Sequence, residues 1–316
     1  MRRGDFEAAW EATDHIEMPR RLRGGRVEDA GELLWDGAAF DDRHVLVRCL
    51  HGLGDTLQFI RFIPLLRQRA RRVTVAIQPA LRSLFPRHGE FGEVRDGWTD
   101  TPIPHEVEIE VMELAYALRI TTATLPARTP YLNRRWIAER TRIEPLPASP
   151  RLRVGLVWAA SSWDAKRSLP PHAFTAFAEL DVDFFTLQQS ADAPPMRQLH
   201  TFSCATDDVL DAAAAMLALD LVVTVDAMPA HLAGALGCPV WVLLKCDADW
   251  RWMDGRRDSP WYPSMRLFRQ PRPGDWDTPL KKLVRSLREL AEMRNKPATA
   301  RGTANPRRAS HPMPTA

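Results

Sequence analysis

Two stretches of this chain repeat one pattern: a short apolar run, a polar or glycine-bearing loop, then apolar residues at helical spacing. In the first half, residues 44–50 (HVLVRCL) are short, apolar and rich in β-branched side chains, which reads as a buried strand. The loop His51-Gly52-Leu53-Gly54 bounds it. From Asp55 to about Arg69, Leu57, Ile60 and Ile63 recur at helical spacing, and Pro64 predicts a kink or break near Ile63. Residues 73–77 follow directly as a second strand. A strand, loop, helix and strand in that order imply a parallel sheet. Residues 79–140 are less regular, with short helices expected at 81–85 and 111–118.

After Pro145, Pro147 and Pro150 the same grammar restarts. Strands are predicted at 153–158 (RVGLVW), 183–187, 221–225 and 240–244. Helices are predicted from Pro170-Pro171 to 180 with Ser168 as the cap, over 208–219, and over 228–236 with Gly237 as the stop. Leu280, Leu283, Val284, Leu287 and Leu290 mark a final amphipathic helix, able to pack back across the hinge. Residues 1–40 hold a short helix around Phe6 and Trp10, then an arginine- and glycine-containing connector. Residues 296–316 lack periodicity and read as a disordered tail. The fold class that follows is α/β, with two Rossmann-like domains facing across a cleft: 41–148 and 149–295, joined at the proline-rich connector.

Charge and cysteine content narrow the function classes. A net charge of +3 on 316 residues is small, which argues against a dedicated nucleic-acid binder. Arginines nevertheless crowd residues 20–26, 67–72 and 307–308; they read as solvated faces or, more sharply, as peripheral contacts to an anionic lipid or glycolipid. None of the four cysteines, Cys49, Cys204, Cys238 and Cys246, has CxxC spacing, so neither zinc nor a disulfide framework is expected. The N-terminus carries charges where a signal peptide needs its apolar stretch, and the longest apolar run, 209–225, is interrupted by Asp211 and Asp220. A cytoplasmic location is expected.

Four segments carry candidate chemistry. In His51-Gly52-Leu53-Gly54-Asp55-Thr56, the glycines let backbone approach a ligand at a helix N-terminus, but Leu57 stands where a dinucleotide fingerprint needs its third glycine. Asp55 would repel a phosphate there, so the loop suits a hydroxyl substrate; Asp55 either caps the helix or acts as a general base. In Asp226-Ala227-Met228-Pro229-Ala230-His231 a strand ends and a helix begins, and its N–H donors and dipole favour a diphosphate. His231 either faces that ligand or is a buried structural histidine. Lys166, Arg167 and Ser168 follow the first strand of the second half, and Gln188, Gln189 and Ser190 end the next; both positions border the crevice where open α/β sheets bind ligands. The aromatic stretch 250–261 (WRWMDGRRDSPW) reads as a loop packed by its own tryptophans or as a cleft wall near the base or sugar.

In order along the chain, the strings GDFEAAW, LWDG, HGLGDTLQFIRFIPLL, RVGLVWA, KRSLPPHAF, FFTLQQS, DLVVTVDAMPAHLAGALGCPVWVLL and DWRWMDGRRDSPWYPSMRLFRQ resemble glycosyltransferase family 9, the lipopolysaccharide heptosyltransferases. They resemble in particular its branch found behind tetratricopeptide repeats. The resemblance implies a GT-B fold and an inverting transfer with no metal and no cofactor. The partners it implies are a nucleotide-sugar donor, most often ADP-heptose, and a glycan, glycolipid or protein acceptor. Carried over by position, Asp55 is the base, with Gly52, Gly54 and Thr56 in its acceptor-side loop. Lys166, Arg167, Gln188, Asp226, Ala227 and His231 form the donor side. Asp226 and His231 match the ends of an Asp-Thr-x-x-x-His motif, but Ala227 replaces the hydroxyl residue and Pro229 falls inside it. That departure keeps a second reading open: a non-catalytic nucleotide- or glycan-binding protein on the same fold. A nicotinamide oxidoreductase is the third.

Overall fold

The computed structural model describes residues 1–22, 35–99, 101–188, 196, 199–202 and 208–295. Gln189, Ser190, Cys204, the arginines at 23, 26, 307 and 308, and the tail 296–316 lie outside the described residues. The chain opens with helix α1 (Phe6–Leu22) and then builds two separate sheets.

The first sheet holds β1 (His44–Arg48), β2 (Arg72–Ile77), β3 (His88–Gly89), β4 (Gly92–Asp96) and β5 (Val107–Glu110), in the order β3-β4-β2-β1-β5. Only the β3–β4 pair is antiparallel. Central strand β1 is buried through Val45, Leu46 and Val47, as a parallel strand covered on both faces must be. Helix α2 (Leu53–Phe59) follows it, and a 3-10 turn at Ile60–Phe62 leads into α3 (Ile63–Leu66). Pro64 occupies the first turn of α3, where its missing N–H costs nothing, so the break near Ile63 is present. Short helices α4 (Leu114–Ala117) and α5 (Arg134–Ala138) complete this half. The short alternating strands β4 and β5 fall in the stretch that periodicity leaves irregular.

The second sheet is wholly parallel: β6 (Leu152–Val157), β7 (Val182–Thr186), β8 (Leu199–His200), β9 (Leu221–Val225), β10 (Val240–Leu244) and β11 (Met265–Arg269). Its order, β11-β10-β9-β6-β7-β8, is the doubly wound arrangement, with its crossover reversal between β6 and β9. Helices α6 (Val209–Leu217), α7 (Met228–Ala235) and α8 (Asp277–Asn295) flank it. Asp208, not an upstream residue, caps α6 through its carboxylate on Leu210 N at 2.8 Å. The segment after Pro170 is a 3-10 helix, Pro171–Phe177, and Ser168 does not cap it; its hydroxyl accepts from Ala160 N at 3.0 Å and closes the preceding loop instead. Helix α8 stays on the outer face of this sheet, where Leu280, Leu283 and Leu287 join Phe177, Phe184 and Trp276.

The two halves share one core. A single cluster of buried residues runs from Val45 and Phe59 through Trp261 to Leu232 and Val222. Polar groups stitch the same boundary: Tyr131 N donates to Ala235 O at 3.1 Å, and buried Asp211 accepts from Thr141 Oγ1, Arg142 N and Arg142 Nε at 2.8–3.0 Å. Burial alone would raise the Asp211 carboxyl, but these donors outweigh it and hold it below the usual carboxylate range. Asp220, the other acid in that apolar run, accepts from Arg153 N and Arg294 Nη1. The arginine run 67–72 is likewise taken up by the protein: Arg67 by the carbonyls of Gly89 and Glu90, Arg69 by Asp41, Arg71 by Glu106 and Arg72 by Glu93. No described helix is long and apolar enough to cross a membrane.

Helix α1 braces both halves at once. Buried Phe6 stacks on Trp10 and meets Trp250 and Trp261 edge-on at about 6 Å, while the Trp10 indole N–H donates to Ile120 O at 2.6 Å. Removing an aromatic from such a contact leaves a cavity, so Phe6→Ala is expected to lower the unfolding free energy by about 3–5 kcal/mol in urea titrations. A loss below about 1 kcal/mol would show that α1 is not part of the cooperative core.

Candidate active site

The loop after β1 brings Asp55 forward. Gln78 Nε2 holds His51 O at 2.9 Å, and Gln78 Oε1 accepts from Thr56 Oγ1 at 3.0 Å, so Thr56 is fully buried beneath the loop. Thr56 therefore does not reach the cleft. Gly52 caps α2, and its N–H donates to Asp55 Oδ2 at 3.0 Å, half of a capping box. The other oxygen, Oδ1, accepts from Arg251 Nη2 at 2.6 Å. Asp55 is thus a cap and a cleft residue together, and the two readings of it are not exclusive.

Gly54 serves a purpose that the motif alone does not reveal. A Cβ built there would stand 2.9 Å from His231 Cδ2 and 3.4 Å from Met228 Cα. Its bare backbone lets the N-terminal turn of α2 press against that of α7 across the boundary between the sheets.

On the facing side, Asp226 follows the last residue of β9 and α7 begins two residues later. Ala227 caps α7 with no side-chain hydrogen bond, and Pro229 sits in the first turn. Asp226 is buried, and that burial pushes its carboxyl up; the nearby Trp252 indole and the Arg167 and Arg251 guanidinium groups oppose the shift. His231 is buried too. Its ring stacks on Trp252 with centroids 5.3 Å apart, and its Nδ1 lies 3.1 Å from the Tyr262 hydroxyl. Burial, with Arg251 and Arg61 adding to it, drives the imidazole down to about 3, so the ring is neutral across the physiological range. His231 borders the cleft, with its Nδ1 taken up by the Tyr262 hydroxyl. Gly234 leaves room for Tyr262, whose ring would lie 2.4 Å from a Cβ there, and Gly237, at φ +65°, ends the helix as expected.

Between these two helix ends lies a cleft of about 590 Å³, lined by the loops after β1, β6, β7, β9 and β10. Arg167 enters it, anchored by Nη1 on Asp226 O at 2.9 Å and Nη2 on Ser161 Oγ at 3.0 Å. Lys166 does not: it is exposed and outside the cleft wall, because the 3-10 turn Ser162–Arg167 points successive side chains apart. Gln188 borders the cleft, but its Oε1 accepts from Trp158 N and Ala159 N at 3.1 and 2.9 Å, so it shapes the loop after β6.

Arg2, Lys245 and Arg251 are cations of the cleft that escape the motif reading. Lys245, at the end of β10, pairs with Asp164 at 2.8 Å; that hydrogen bond holds the Asp164 carboxyl below, and the ammonium above, their usual ranges. Extending the strand-end rule from the first to the fifth strand of this sheet identifies Lys245. Arg251 lies inside the aromatic stretch 250–261, where its charge is easily overlooked. Arg167 Nε is a buried donor with no hydrogen-bond acceptor among the described residues, its nearest carboxylate oxygen being Asp164 Oδ2 at 3.9 Å. Among the described residues no group of three or more His, Cys, Asp or Glu side chains is placed to hold a metal ion.

The depressed His231 sets a pH dependence. Its folded value, about 3, lies below the ordinary 6.5, so between these values the unfolded chain binds the extra proton and stability falls as pH falls. The slope approaches about 1.4 kcal/mol per pH unit for one proton. Urea titrations at pH 7.5 and 5 should show this loss in the wild type and a smaller one in His231→Gln; equal losses would place the titration elsewhere.

No protein-family model matches the chain. Protein FlbA of Caulobacter vibrioides is 23% identical over 325 residues, which cover 91% of this chain and 53% of that protein; the chain spans about half the length of this relative. Among solved structures, a glycosyltransferase family 9 protein from Veillonella parvula superposes with a TM-score of 0.54 at 14% identity, over 81% of this chain and 99% of that one. The ADP-heptose LPS heptosyltransferase II of E. coli superposes at 0.52 and 14%, over 80% of this chain and all of its own. Two parallel sheets, a cleft at their carboxyl ends and these superpositions give the chain the GT-B fold of the family 9 glycosyltransferases.

Proposed function

We propose that this protein is an inverting glycosyltransferase that moves a sugar from a nucleotide-sugar donor to a hydroxyl acceptor, with Asp55 as the base. One observation carries the reading. Asp55 projects from the N-terminal turn of one helix into the same cleft as the N-terminal turn of α7, and Gly54 holds the two turns in contact. A donor diphosphate fits the α7 side, where Arg167 and Lys245 supply charge and Arg167 Nε has no hydrogen-bond acceptor among the described residues. The similar E. coli structure is of an ADP-heptose transferase, which makes ADP the first nucleotide to test.

In the transfer, the acceptor hydroxyl oxygen attacks the anomeric carbon, the bond from that carbon to the diphosphate oxygen breaks, and Asp55 takes the hydroxyl proton. The electron pair leaves on the diphosphate, whose developing charge Arg167, Lys245 and the α7 dipole stabilise. Lys166 and Thr56 have no part in this arrangement; His231 and Gln188 support it by packing and by fixing the loop.

General-base assistance is worth about 10²–10⁴ in rate. Asp55→Asn should therefore lower kcat by about that factor with little change in donor affinity. ADP should raise the melting temperature of the full chain, and Lys245→Ala together with Arg167→Ala should abolish that shift. A panel of ADP, GDP and UDP sugars, ADP-heptose included, tests turnover. Stabilisation by a nucleotide without release of nucleoside diphosphate from any of them would favour a non-catalytic binder, a reading to which the uncapped Ala227 and the missing Pro229 N–H lend support.

A further inference from the structure

Arg251 is the one cleft cation that makes its strongest contact across the boundary between the halves. It is buried and sits on the 3-10 turn Trp250–Trp252. Its Nη2 donates to Asp55 Oδ1 at 2.6 Å and its Nη1 to Asp249 Oδ1 at 2.8 Å. Asp249 also accepts from Arg251 N at 3.0 Å, so one carboxylate fixes both the backbone and the guanidinium of Arg251. The guanidinium lies 5.3 Å from the Phe59 ring and 5.2 Å from that of Trp250. Phe59 is one turn beyond Asp55 on α2, so Arg251 contacts two residues on one face of that helix.

These contacts leave Asp55 little freedom. Gly52 N–H fixes one oxygen and Arg251 the other. An ionised carboxylate offers about four lone-pair sites, so two donors still leave it able to accept a proton from a third group. The Asp55 side chain retains about a quarter of its surface, 27%, open towards the cleft, which is where an acceptor hydroxyl would approach.

We propose that Arg251 is a positioning residue: it holds the Asp55 carboxylate in one orientation against the acceptor hydroxyl, and it acts through Asp55, not on the donor diphosphate. The proposal rests on the reading of Asp55 as the base. Because Arg251 belongs to the second sheet's loops and Asp55 to the first sheet's, the base is correctly oriented only while the two halves are closed on each other. Arginine suits the task, since its planar fork keeps its charge and bonds two carboxylates at once.

The test is a double-mutant cycle on the full chain with Asp55→Asn, Arg251→Gln and their combination, plus Arg251→Lys. It is read in two ways: release of nucleoside diphosphate from the panel's sugar nucleotides, and urea unfolding, which needs no donor. A misplaced base costs about 10²-fold, so Arg251→Gln should lower kcat by about that factor while the Kd for ADP changes less than about threefold. The double variant should be no slower than Asp55→Asn alone, and Arg251→Lys should recover part of the loss. In urea, the unfolding constant of the double variant should stay within about threefold of the worse single variant, where independent effects would multiply. Multiplying losses in kcat, or an ADP Kd raised tenfold or more by Arg251→Gln, would overturn the assignment and make Arg251 a donor ligand. Coupling in urea with no turnover of any sugar nucleotide by the wild type would instead overturn the glycosyltransferase reading, and with it the catalytic meaning of the pair.

Discussion

The arrangement of this molecule depends on a place where a side chain cannot be accommodated. Gly54 puts bare backbone within van der Waals reach of His231 and Met228, and so lets the first turns of two helices, from the two halves, pack closely together. Helix N-termini carry unsatisfied N–H groups and partial positive charge. Bringing two of them together produces one site with two demands for negative charge. Asp55 meets the first from within the protein, by capping its own helix. The N-terminus of α7, capped by an alanine, has no such internal answer. This asymmetry, an aspartate on one side and an alanine on the other, supports the proposed division into a hydroxyl side and an anion side.

The charges around this contact form a held set. Lys245 is gripped by Asp164, Arg167 by the Asp226 carbonyl and Ser161, and Arg251 by Asp55 and Asp249. Cations held in this way need little reorganisation to meet a ligand. Aromatic packing lies behind them: the stretch 250–261 packs through its own tryptophans, with Trp250 against Trp261, Trp252 stacked on His231, and Phe6 of α1 against Trp250 and Trp261. The N-terminal helix, which in sequence cannot make a domain, is in this way tied to the geometry of the cleft.

Much of this was legible in the sequence, and the limits have physical causes. Buried parallel strands such as β1, β9 and β10 announce themselves by short β-branched runs, and Pro64 and Gly237 mark their breaks through backbone chemistry that no context overrides. The strand ends of β1, β6 and β9 then indicate Asp55, Arg167 and Asp226 by topology alone. Strands β4 and β5 are too short and mixed to show a period. Lys166 and Arg167 are adjacent in sequence, so only the local turn decides which of them enters the cleft. Thr56 sits in the right loop, yet burial and its bond to Gln78 turn it inward, while Gln188 and His231 border the cleft with part of their polar capacity taken up inside the protein. The pairing of Asp55 with Arg251 joins residues far apart in the chain, and the role of Gly54 depends on a helix in the other half; neither leaves a local signal.

The central claim is that a nucleotide binds at the carboxyl ends of the second sheet while the first sheet presents the base. Hydrogen–deuterium exchange on the full chain, with and without saturating ADP, tests it directly. The account predicts protection concentrated in the loops 158–168, 226–232 and 245–251, with the β2–β4 region unchanged. Protection centred on the first sheet, or none anywhere at millimolar nucleotide, would contradict it.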